Sequence, residues 1–132
     1  MAPERPHPVS EGSMEDPVLT FDLPALLAQV RREGTWASAS RAGRTLVKTQ
    51  GLRVVLMALH AGATIPAHQA DGPISVQMIE GTLTFRTEAH TFTLRPGQLL
   101  ALQAGIPHAV EAVDEAAFLL TIATASRQPG GS

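Results

Sequence analysis

The chain contains no cysteine and no tyrosine, and only one tryptophan and four phenylalanines among 132 residues. Without cysteine there is no disulfide scaffold, no thiolate metal site and no thiol nucleophile. The same absence suits a reducing compartment, and a cytoplasmic location is the expectation. Charged residues are scarce at 17%, and a net charge of −2 lacks the basic excess of a general nucleic-acid binder. No apolar run approaches the ~18 residues that a membrane-spanning helix needs. The opening MAPERPHPVSEGSMEDP has no apolar stretch of the kind a signal peptide requires. Neither a membrane nor a nucleic acid is therefore expected as a partner.

What is present suits one folded domain. Hydrophobic residues make up 44% of the chain, enough for a substantial core at this length. Residues 1–17 and 126–132 are rich in proline, glycine and polar residues, and they are expected to be disordered tails around a domain spanning 18–125. Residues 22–33 predict the one helix. Asp22 can cap it, Pro24 falls in its first turn, and Leu23, Leu26, Leu27 and Val30 recur at helical spacing. Gly34 is expected to stop it in a left-handed conformation.

From about residue 45 the pattern changes to short strands broken by turn residues. Gln50-Gly51, Glu80-Gly81 and Pro96-Gly97 mark turns, the last with glycine where a type II turn needs positive φ. Val76 and Met78 alternate with Ser75 and Gln77, so Gln77 is expected to point away from the core. Residues 53–60 are apolar at both parities, and that strand needs cover on both faces. The leucine helix or a second copy of the chain could supply it, and a homodimer is expected. Eight or nine strands favour an all-β sandwich or barrel, because closing the sheet removes exposed edges.

Two glycine-and-histidine segments narrow the choice. The first runs from Gly62 through Pro66 and His68 to Gly81, and the second from Gly97 through Gly105 and Pro107 to His108. Together they resemble the two motifs of the cupins, with fifteen residues between Gly81 and Gly97 as in compact bacterial members. The resemblance covers about residues 53–123 and implies an antiparallel jelly-roll β-barrel with a ligand or metal between His68 and His108. It also has gaps. Ala70 stands where the family has a second histidine, Ile74 where it has a glutamate, Gln103 where it has a proline, and Ala112 where it has a late asparagine.

Only His68 and His108 thus match metal-ligand positions, and the cofactor expected, if any, is a divalent ion such as Zn, Fe, Mn or Ni. Gln69, Asp71, Gln77 and His60 are the candidates to complete such a site. Three readings stand open. One is a module that binds a small organic ligand, with His68, Val76, Met78, Phe85, Phe92, His108 and Phe118 around the pocket. Another is a metal-dependent enzyme, which the resemblance places among oxygenases or isomerases. The last is a metal-free acid–base isomerase using one histidine as base, though no buried carboxylate is evident to tune it. His60 reads as a surface or hydrogen-bonded group, and His7 and His90 as solvated. Trp36 reads as packing against the barrel or a partner copy. Arg31, Arg32, Arg41, Arg44, Lys48 and Arg53 read as a solvated face before an anion-binding patch.

Overall fold

The computed structural model describes residues 16–124; the expected tails and His7 lie essentially outside that span. Two helices open the domain, α1 (Leu23–Arg32) and α2 (Gly34–Ser38). Nine strands follow: β1 (Arg41–Lys48), β2 (Leu52–Leu59), β3 (Thr64–His68), β4 (Ile74–Glu80), β5 (Leu83–Thr87), β6 (Thr91–Leu94), β7 (Leu99–Leu102), β8 (His108–Ala112) and β9 (Ala116–Ala123). They form a five-stranded sheet in the order β1-β2-β9-β4-β7 and a four-stranded sheet in the order β3-β8-β5-β6. Every pairing is antiparallel. The two sheets pack as a jelly roll, and the all-β expectation holds.

Side-chain parity divides each central strand between two apolar layers. On β2, Met57 and Leu59 face the four-stranded sheet, while Val54, Leu56 and Ala58 face outward. On β9, Phe118, Leu120 and Ile122 point inward and Ala117 and Leu119 outward. The inner layer is completed by Ile74, Val76 and Met78 of β4, Leu83 and Phe85 of β5, and Val110 of β8.

The outer layer is covered from within the same chain. Leu27 and Val30 of α1 and Trp36 of α2 are buried against Leu46, Val47, Leu56 and Ala58. Asp22 caps α1 by accepting a hydrogen bond from the Ala25 N–H at 3.1 Å, as the sequence suggests. The far end differs from expectation. Gly34 is not left-handed, because Glu33 ends α1 in an extended conformation and Gly34 opens a second helical turn. That turn seats Trp36, whose ring stacks on His60 at 3.6 Å between centroids. His60 Nε2 lies 2.7 Å from the Trp36 carbonyl and donates to it, which takes this histidine out of the pocket and into the outer layer.

Arg31 fastens α1 from the side. Its guanidinium reaches Glu80 at 2.8 Å and Glu115 at 3.2 Å while lying over the Trp36 ring. The turns follow their sequence. Gly97 adopts φ +87° after Pro96, and the Gln98 N–H closes the turn on the Arg95 carbonyl at 3.0 Å. Among the described residues no helix is long and apolar enough to cross a membrane.

Candidate functional site

Strands β3 and β8 pair so that His68 stands directly opposite His108. Directly opposed residues share a face of the sheet, so both rings project from one place, their centroids 4.3 Å apart and tilted by 57°. The register shifts between Ile65 and His68, where Pro66 has no N–H to offer the ladder. The freed Pro66 carbonyl is used locally: His68 Nδ1 lies 3.0 Å from it. His108 repeats the arrangement with the Ile106 carbonyl at 2.9 Å.

A carbonyl can only accept, so each neutral ring carries its proton on Nδ1 and leaves a lone pair on Nε2. The backbone thereby fixes two imidazoles in one tautomer. Their surroundings differ. His68 is exposed, whereas His108 is buried and lies parallel to Phe85, 5.2 Å between centroids. Burial pushes the His108 pKa below its ordinary 6.5; the Ile106 carbonyl opposes this, and neighbouring His68 adds to the lowering. His108 is thus a neutral acceptor near pH 7.

The rings open onto a pocket of about 610 Å³. Its opposite wall comes from the five-stranded sheet, where Arg53, Ile122 and Ile74 form one row across β2, β9 and β4. Leu120 lines it from the next row. The rim is the β3–β4 loop, which contributes Gln69, Ala70, Asp71 and Gly72. That loop is pinned on two sides: the Gly105 N–H donates to the Ala70 carbonyl at 2.9 Å, and the Ala123 N–H to the Pro73 carbonyl at 3.0 Å. A Cβ on Gly72 would fall 1.6 Å from the Ala123 carbonyl oxygen, so only glycine lets the rim lie against β9.

The expected pocket residues separate into groups. Val76, Met78, Phe85 and Phe118 do face inward, but they are buried as filling of the barrel and do not line the pocket. Phe85 meets the site only through the His108 ring. Phe92 does not belong to it. It sits on the edge strand β6, 41% exposed, with its ring against His90. Gln77 is exposed on the outer side, as its parity requires. Arg53, Leu120, Ile122 and Thr124 are lining residues that the sequence reading missed, Arg53 the charged one among them. Arg53 shares the parity of Val55, Met57 and Leu59, which was the available signal.

The donor set bears directly on whether a divalent metal fits. The Nδ1-protonated, Nε2-free tautomer is the one a metal-binding histidine adopts. A tightly held catalytic ion, however, takes three or more protein ligands. Among the described residues no group of three His, Cys, Asp or Glu side chains is placed to hold one. Ile74 fills its position with an apolar side chain 6% exposed, and Ala70 packs against the core. The described residues do not fit a resident metal.

A family model described as "Cupin domain" matches residues 55–123. The chain belongs to the cupins. Among solved structures it resembles a conserved protein of unknown function from Streptococcus pyogenes, with 25% identity over 89% of this chain and 96% of that one, TM-score 0.67. It also resembles KdgF from Halomonas sp., at 16% identity over 67% of this chain and 81% of that one, TM-score 0.59. A third neighbour is a mutant of the salicylate 1,2-dioxygenase from Pseudoaminobacter salicylatoxidans, at 18% identity over 64% of this chain and 27% of that one, TM-score 0.60. The last two likenesses concern the fold alone. No curated protein sequence matches this cupin.

Proposed function

We propose that this cupin is a binding module for a small organic molecule held at the His68–His108 pair, without a resident metal. The observation that carries the reading is the tautomer: two Nε2 acceptors, fixed by backbone carbonyls, face a pocket where no third side chain among the described residues completes a metal site. Such acceptors suit hydroxyl or amine donors on a ligand, and the apolar wall of Ile74, Leu120 and Ile122 suits its carbon frame.

Elemental analysis of protein purified without a nickel column tests this. The expected result is no stoichiometric Zn, Fe, Mn or Ni. Near-equimolar metal that disappears in a His68→Ala, His108→Gln double variant would overturn the reading in favour of a metal-dependent enzyme. A homodimer is a separate proposal. The outer face of β2 is already covered by α1 and α2, so its apolarity is accounted for within one chain. Sedimentation at micromolar concentration tests the dimer: a species of twice 13.9 kDa would support it and one of 13.9 kDa would overturn it.

A further inference from the structure

The basic stretch noted in the sequence divides in the fold. Arg31 is paired with Glu80 and Glu115, Arg44 reaches Glu33 and Gln29, and Arg41 donates to the Thr64 carbonyl. Lys48 and Arg53 have no such partner among the described residues, and they stand directly opposite one another across β1 and β2. Directly opposed like charges repel, and no described carboxylate forms an ion pair with either. Arg53 lines the pocket. Asp71 lines the pocket too, on the β3–β4 loop, without an ion pair to Arg53. The lining thus holds one cation and one carboxylate, and Lys48, opposite Arg53 on β1, adds a second positive charge beside the guanidinium.

The pocket therefore offers two chemically different ends. The guanidinium can donate only, in a planar fork that matches a carboxylate. The two imidazoles present acceptors and call for hydroxyl or amine hydrogens. Ile122 and Ile74 continue the row that Arg53 begins, so the guanidinium's wall is otherwise apolar. We infer that the ligand is a hydroxycarboxylic acid, its carboxylate seated on Arg53 beside Lys48 and its hydroxyl donating to Nε2 of His68 or His108. The inference rests on the binding-module reading and names its ligand class. An anion at Arg53 supplies the counter-charge that the Lys48–Arg53 pair lacks, since no carboxylate among the described residues forms an ion pair with either.

The test is ligand-observed NMR with a panel of aliphatic and aromatic hydroxycarboxylic acids, mandelate among them. Each is matched with its methyl ester and with the acid lacking the hydroxyl, as phenylacetate is for mandelate. Wild type should bind one or more acids and discriminate against both of their relatives. Arg53→Gln should weaken the acid about 10- to 100-fold, the effect of losing a charged hydrogen-bond partner, and leave the ester unchanged. Its melting temperature without ligand should be no lower than wild type, because the guanidinium has no ion-pair partner among the described residues and its loss relieves the repulsion with Lys48. His68→Ala or His108→Gln should instead remove the preference for the hydroxyl, whichever of the two rings accepts it, and the double variant should show none. Esters binding as well as the acids, and equally in Arg53→Gln, would overturn the carboxylate inference while the pocket reading stood. Binding of no panel member, or binding indifferent to both histidines, would overturn both.

Discussion

An imidazole that is 4% exposed and stacked on Phe85 can take up a proton only by placing charge where water is scarce. The consequence for stability has a definite sign. The pKa of His108 lies below 6.5 in the folded chain and near 6.5 in the unfolded one. Above that value both states hold the ring neutral, and the group does not affect stability. Below it the unfolded chain binds a proton that the folded chain refuses, so stability falls with pH until the folded ring titrates as well. The charged and titratable groups sharing the pocket are His68, Arg53 and Asp71. Melting curves should therefore show wild type losing stability between about pH 7 and pH 5.5 more steeply than His108→Gln. Equal slopes would remove the assignment to His108. That two histidines forty residues apart would meet was legible from glycine and histidine spacing. Arg53 was not, because charge argued for solvent while parity with Val55 and Met57 argued for the pocket. The fixed tautomers were also illegible, since they depend on the local path of the chain before each histidine, which at His68 includes a register shift that only strand pairing reveals.

At the scale of elements, α1 shows what local signals can and cannot give. Its start was legible because a cap is a local event: Asp22 bonds a backbone N–H three residues ahead. Its stop was not, because the path after Arg32 is set by tertiary contacts of Trp36 with His60 and Arg31. A helix of ten residues has little stability of its own, so docking must supply it. Leu27, 3% exposed, is the centre of that docking. Leu27→Ala should lower the unfolding free energy by about 2–5 kcal/mol in urea titrations. Asp22→Ala should cost about 1 kcal/mol. A Leu27→Ala loss no larger than that of Asp22→Ala would mean that the helix rests on the sheet without supporting it. The strands were easier to read than the helix end, since alternation on β4 and turn residues on either side of it are both local.

For the whole molecule, the sequence indicated many short strands but not their neighbours, because β1-β2-β9-β4-β7 joins segments distant along the chain. The cupin motifs narrowed the choice by fixing where two strand ends converge. The two-sided apolarity of β2 was legible too, and the structure resolves which of its possible covers is present. β2 and β9 each send alternate side chains into the barrel interior and into the helix-covered layer. Leu56 and Ala58 cannot lose their cover without disturbing the strand that also carries Met57 and Leu59. The two layers should therefore unfold together. Trp36, the single tryptophan, sits in the outer layer and reports on it by fluorescence, while far-UV circular dichroism reports mainly on the nine strands. Denaturant transitions followed by the two signals should coincide, as a two-state domain requires. A fluorescence transition completed before the circular dichroism begins to change would show instead that the barrel stands without its helices.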